Sequence, residues 1–168
     1  NLNKKDYIFV RDVSTASINY KNQRSDSLSG IADKLPKELD YVLSLENKKA
    51  KNFFPDTWKI LEEPVEDIHS LMYYSKAIIS TGDSMVREGA MMGVPSLYCG
   101  IRNMSANKVM RERGMLFEVA PKNLPGKLKY MLENKTSLKS QSAFIESLNN
   151  DWIDLTNLIV KKIEEYGR

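Results

Sequence analysis

With 168 residues, 42% of them apolar and 28% charged, the chain has globular composition and the length of one ordinary domain, which excludes a disordered or low-complexity polypeptide. Its 25 basic and 22 acidic residues leave a net charge of only +3, with acids interleaved among the lysines, so a nucleic-acid-binding stripe is excluded while a small anionic ligand is not. One cysteine, Cys99, and one histidine, His69, cannot assemble a zinc site or a disulfide framework.

No stretch approaches the ~18–20 consecutive apolar residues of a membrane span, and no signal peptide opens the chain. A soluble protein of the reducing cytoplasm is expected. The chain begins at Asn1, and a strand pattern follows almost at once from Tyr7, so a single domain cut from a longer protein is expected over residues 1–168.

Tyr7-Ile8-Phe9-Val10 has the β-branched and aromatic character of a buried strand and ends in Arg11-Asp12. Ser14 to Ser25 reads as a loop. Leu28, Ile31, Ala32 and Leu35 then recur at helical spacing until Pro36. Tyr41 to Leu45 is the next strand, Asn47 to Asn52 a lysine-rich turn, and Trp58 to Leu61 a third strand closed by Glu62-Glu63-Pro64.

From there the pattern is regular. Asp67 caps a helix with Ile68, Leu71 and Met72 on one face, and Ala77 to Ser80 is a strand. Ser84 to Met92 is helical with Gly93 as its stop, and Pro95 to Tyr98 is a strand. Ser105 caps a helix over Asn107 to Arg113, Gly114 ends it, and Met115 to Val119 is a strand. Pro125 suits the first turn of a helix carrying Leu128, Met131 and Leu132. Leu148, Trp152, Leu155, Ile159 and Ile163 describe one final amphipathic helix, within terminal helices spanning 138–168.

Strands alternating with helices predict a doubly wound, Rossmann-like parallel α/β sheet with right-handed crossovers. Such sheets bind ligands beyond the carboxyl ends of their strands, which singles out the loops after Val10, Leu61, Thr81 and Tyr98.

The segment from Ile78 to Leu97, IISTGDSMVREGAMMGVPSL, compresses strand, turn, helix, glycine stop and second strand into one unit. Its turn Thr81-Gly82-Asp83-Ser84 delivers the chain into a helix N-terminus, where backbone N–H groups and the helix dipole favour an anion such as a diphosphate. Glu88 lies about one turn further on, so its carboxylate can share that side and accept ribose hydroxyls. Gly89 and Ala90 permit close helix–sheet packing. A plainer reading makes Asp83 or Ser84 an N-cap and Glu88 a surface or Arg87-paired charge. Gly82-Asp83-Ser84 also looks like an esterase nucleophile block, but the one histidine, His69, precedes the serine and supplies no downstream base.

The run from Asp67 to Leu97 resembles the C-terminal, nucleotide-sugar-binding half of glycosyltransferase-B-fold (GT-B) proteins, a group that includes UDP-GlcNAc 2-epimerases. It is similar above all to the archaeal family called domain of unknown function 354. That family's pattern, L-x-Y-A-D-x-x-I and then G-G-T-M-x-R-E-A-A-x-x-G-x-P, meets Leu71, Tyr73 and Tyr74. It then meets Gly82, Asp83, Ser84, Met85, Arg87, Glu88, Gly89, Ala90, Gly93 and Pro95. The segment Tyr7 to Val13 is similar to the first strand of the same half.

The resemblance implies that Gly82, Asp83, Ser84 and Met85 cradle the diphosphate, that Glu88 binds the ribose and that Arg11 is a further phosphate contact. It places Pro64 and Val65 near the base. It implies a nucleotide sugar, a UDP-sugar, as substrate, with no cofactor and no metal; it identifies no catalytic residue here and places the acceptor and the usual catalytic base in the other half. The partners implied are an N-terminal Rossmann-like domain of the same protein and a second copy of the chain, one of them covering apolar surface left by Trp152, Leu155, Leu158, Ile159 and Ile163. An NDP-sugar 2-epimerase-like domain or a non-catalytic binding module is the alternative to a glycosyltransferase. Asp83 stands where the pattern has glycine. An uncompensated carboxylate ~5 Å from a phosphate would repel it by about 3 kcal/mol at an effective dielectric near 20, so glycine there should tighten binding.

Among the remaining residues, His69 reads as a satisfied or solvent-facing side chain and Cys99 as a small buried hydrophobe. Met91, Met92, Met104 and Met110 read as core filler. Arg102, Arg111 and Arg113 read as surface charges, Arg102 having the best claim to an anion.

Overall fold

The computed structural model describes residues 6–14, 28–62, 64–134 and 140–167. Most of the loop expected between Ser14 and Ser25, and Glu63 beside Pro64, lie outside them. Six strands form one sheet: β1 (Tyr7–Asp12), β2 (Asp40–Leu45), β3 (Lys59–Ile60), β4 (Ala77–Ser80), β5 (Ser96–Tyr98) and β6 (Leu116–Glu118). Every pair is parallel, and the spatial order is β3-β2-β1-β4-β5-β6. The α-helices among the described residues are α1 (Ser29–Ala32), α2 (Ile68–Tyr73), α3 (Asp83–Met91), α4 (Ser105–Glu112), α5 (Leu124–Glu133), α6 (Gln141–Asp151) and α7 (Leu155–Tyr166), with short 3-10 helices at Lys48–Phe53 and Pro121–Asn123.

The central strands are apolar on both faces because both faces are covered. Ile8 and Val10 of β1 point into one core with Leu43, Ile79, Leu97, Leu28, Leu124 and Leu128. Tyr7 and Phe9, on alternate positions, point into the other with Ile78, Met72, Val86, Ala90, Met110 and Phe144. The same alternation sends the two polar residues at the end of β1 to opposite sides, Arg11 continuing the Tyr7–Phe9 face and Asp12 the Ile8–Val10 face.

The expected unit β4–α3–β5 forms as read, with Ile78, Ile79 and Ser80 in parallel register with Ser96, Leu97 and Tyr98. Asp67 caps α2 by accepting from the Ser70 N–H at 3.0 Å. Gly93 and Gly114 end their helices at φ of 70° and 75°, the left-handed region that glycine enters without a Cβ penalty. At Gly89 a Cβ would meet the ends of the Ile78 and Ser96 side chains, so α3 packs closely on the sheet.

Three local readings are corrected. Ser105 does not cap α4; Met104 holds the cap position, with no side-chain bond, and Ser105 is already helical. The final helix is two helices, because Trp152 turns extended and Asp154 starts α7 by accepting from the Thr156 and Asn157 N–H groups. Of the four methionines expected to fill the core, Met110 is buried and Met92 packs against it, Met104 is half-buried, and Met91 is exposed. Cys99 is buried as expected, and burial pushes its thiol up to about 12, which removes thiolate reactivity.

Candidate functional site

The sheet order reverses between β1 and β4, since β1 continues to β2 on one side while β4 leads to β5 on the other. The loops leaving β1 and β4 therefore diverge over opposite faces and open a crevice at the carboxyl edge. Arg11, Pro64, Val65, Ile68 and Met85 line a cleft of about 200 Å³ at this point. Four of these five residues are candidates from the sequence, drawn from β1, the β3–α2 loop and the first turn of α3. Ile68, the first residue of α2, is the addition.

Arg11 does not project freely. Its guanidinium donates to Ser44 Oγ and to Glu46 Oε1, the latter at 3.1 Å, across the end of β2. Glu46 Oε2 also accepts from the Ser14 N–H at 2.8 Å. The side chain is thus braced along the cleft wall. Sequence reasoning missed Glu46, although the strand-end rule that selected the other loops applies equally to the loop after Leu45.

On the opposite face Asp12 is buried. Thr81 Oγ1 donates to its Oδ1 at 3.2 Å and accepts from the Val13 N–H at 2.9 Å, which clasps the ends of β1 and β4 together across the switch point. Burial, reinforced by the Glu46 charge, raises the Asp12 carboxyl to about 6; the Thr81 hydroxyl and Arg11 act in the other sense.

At the head of α3, Gly82 holds the cap position in extended conformation and brings no side chain to cap the helix. The Gly82 N–H donates to Ser80 Oγ at 2.9 Å, and the first-turn amides that follow it are those of Asp83, Ser84 and Met85. Ser84 is exposed and Met85 half-buried at the mouth of the cleft. Asp83 does not turn back as a cap. Its carboxylate is buried, with Oδ1 3.0 Å from Arg102 Nη1 and Oδ2 3.6 Å from Arg87 Nη1. Two guanidiniums compensate it, which removes the premise of an isolated like charge facing a phosphate, and it gives Arg102 an anion partner inside the protein. Glu88 pairs not with Arg87 but with His69, whose Nε2 lies 3.2 Å from Glu88 Oε2 on the outer surface of α2 and α3. Both side chains are about half exposed.

A second cavity of about 210 Å³ lies at the amino edge of the sheet, where Tyr41 and Trp58 stack with ring centroids 4.5 Å apart. It is remote from the switch point and includes none of the candidate residues.

A six-stranded parallel sheet in this order, with its crevice between β1 and β4, defines a Rossmann-like α/β domain of the GT-B kind, and solved structures share it. The spinosyn forosaminyltransferase SpnP matches with a TM-score of 0.66 at 13% identity, over 96% of this chain and 45% of that one. The UDP-GlcNAc 2-epimerase of Neisseria meningitidis, solved bound to UDP-GlcNAc, matches with a TM-score of 0.59 at 16% identity, over 83% of this chain and 39% of that one. The chain belongs to the family described as Protein of unknown function (DUF354), whose model matches residues 1–167. An uncharacterized protein of Methanocaldococcus jannaschii is 32% identical over 82 residues, 48% of this chain and 24% of that protein. The chain spans less than half the length of each of these relatives. Among the described residues no helix is long and apolar enough to cross a membrane.

Proposed function

We propose that this domain binds the nucleoside diphosphate of a UDP-sugar at the β1/β4 crevice, as the donor-binding half of a glycosyltransferase-like protein. The observation that carries this reading is the cleft in which Arg11, Pro64, Val65 and Met85 converge beside the N-terminus of α3. The diphosphate accepts from the amides of the turn from Gly82 to Met85, chiefly those of Asp83, Ser84 and Met85, with Arg11 as a side-chain contact. The base lies over Pro64 and Val65. Glu88 accepts the ribose hydroxyls through Oε1, the oxygen that His69 leaves open.

In this reading the helix dipole and Arg11 stabilise the departing diphosphate, and no metal is required of this half. The acceptor and the base that moves its proton belong to a second Rossmann-like domain of the same protein. That domain, or a second copy of this chain, covers α7, where Leu155, Ile159 and Ile163 are exposed and no residue is buried. The epimerase structure bound to UDP-GlcNAc supports an NDP-sugar epimerisation as the second reading, since a protein of this fold holds a UDP-sugar.

Calorimetric titration of the full-length protein with UDP and pyrophosphate tests the assignment. Glu88→Ala is expected to weaken UDP about tenfold, the value of one charge-assisted hydrogen bond, while leaving pyrophosphate unchanged. Equal losses for both ligands would remove Glu88 from the ribose.

A further inference from the structure

We propose that His69 is a positioning residue of this site, whose imidazole holds the Glu88 carboxylate in the orientation that accepts ribose hydroxyls and so lets the crevice discriminate a ribonucleotide from its 2′-deoxy counterpart. The inference rests on the nucleotide-binding reading above and adds the group that fixes its ribose contact.

Glu88 draws no charged partner from its own helix. Residues three and four positions away are its neighbours on the surface of α3, and these are Ser84, Met85, Met91 and Met92, none of them charged. Arg87, the adjacent cation, is turned to Asp83 and Asn107 instead. The partner comes from α2, where His69 Nε2 lies 3.2 Å from Glu88 Oε2. A carboxylate offers only acceptors, so the proton is assigned to Nε2, which donates whether the ring is neutral or charged.

The pair stands beside the cleft and is reachable from it. Met85 lines the cleft and Glu88 follows it up the same side of α3, while Ile68 lines it and His69 is the next residue of α2. The side chains of His69 and Glu88 are 63% and 46% exposed, so the carboxylate is open to a ligand. The backbone beneath His69 is fixed. Asp67, the other carboxylate near the imidazole, accepts from the Ser70 N–H at 3.0 Å, the Tyr7 hydroxyl donates to the Leu71 carbonyl at 2.6 Å, and Met72 is fully buried. A glutamate without a partner must give up its rotamer freedom when a ribose docks, whereas one already held by His69 has given up part of it in the free protein. With Oε2 occupied by the imidazole, Oε1 keeps the lone pairs that vicinal 2′- and 3′-hydroxyls need.

The test compares wild-type full-length protein with Glu88→Ala, His69→Ala and His69→Gln in calorimetric titrations with UDP, 2′-deoxy-UDP and pyrophosphate. A pair this exposed adds little to stability, so all three variants are expected to fold, which thermal unfolding checks. The wild type is expected to prefer UDP over 2′-deoxy-UDP about tenfold, and Glu88→Ala to lose the preference. His69→Ala is expected to lower it to about threefold. His69→Gln, whose amide nitrogen lies as many bonds from Cα as Nε2 does, is expected to restore it, with pyrophosphate affinity unchanged throughout. A preference as high in His69→Ala as in the wild type, or equally low in the alanine and glutamine variants, overturns the positioning role, while its loss in Glu88→Ala keeps the ribose reading standing. Weaker pyrophosphate binding by His69→Ala makes His69 a phosphate contact and overturns the role as well. A wild type that binds UDP and 2′-deoxy-UDP equally, or neither of them, overturns the ribose assignment and this inference together.

Discussion

Asp83→Ala is expected to destabilise the fold by about 2–3 kcal/mol, read as a fall of roughly 5–10 °C in melting temperature. The carboxylate is buried between Arg87 and Arg102, and truncation leaves two guanidiniums facing each other without it. Both arginines retain some contact with water, which sets the loss at the lower end of what breaking a buried pair costs. Had Asp83 been a surface charge at a helix terminus, the loss would be a few tenths of a kcal/mol. Denaturant unfolding of the two proteins separates these outcomes, and a loss below about 0.5 kcal/mol would mean that the buried cluster does not hold together in solution.

Asp12→Asn is expected to stabilise the fold at neutral and alkaline pH, in contrast to most substitutions of a buried hydrogen-bonded residue. The carboxyl titrates at about 6 in the fold against 3.8 unperturbed, chiefly because burial disfavours its ionised form. The folded state therefore holds its proton more tightly than the unfolded chain. The stability this confers is complete below about pH 4, is lost as pH rises through 6, and is absent above. At about 1.4 kcal/mol per pH unit, the interval from 3.8 to about 6 amounts to about 3 kcal/mol. Asparagine keeps the oxygen that accepts from Thr81 Oγ1 and never ionises. The variant should gain up to that amount at pH 8 and converge on the wild type near pH 4, in urea unfolding across that range. A difference independent of pH, or a variant less stable at pH 8, would show that Asp12 is hydrated or differently paired.

The sheet was legible because its signals are local: β-branched runs for the central strands, and glycines where helices must stop in a left-handed turn. The pairing of Ile78–Ser80 with Ser96–Tyr98 follows from the short right-handed crossover that α3 provides. Pro64, Val65, Met85 and Arg11 were legible as candidates through the strand-end rule and a family pattern, and the fold brings all four to one cleft. The electrostatics were not legible, because partners lie far apart in the chain. Asp83 meets Arg102 across 19 positions and Arg11 meets Glu46 across 35; only the Asp83–Arg87 pair, one helical turn apart, lay within reach of sequence spacing. The break between α6 and α7 was lost to an apolar spacing that continues across Trp152 and Ile153, while the cap that starts a new helix is the single residue Asp154.

The most direct test of the crevice as the ligand site is a structure of the full-length protein with UDP bound. Diphosphate oxygens should lie about 2.7–3.2 Å from the backbone nitrogens of Asp83, Ser84 or Met85, with the uracil against Pro64 and Val65. A nucleotide seated away from the α3 N-terminus, for instance in the cavity beside Tyr41 and Trp58 at the opposite edge of the sheet, would contradict it.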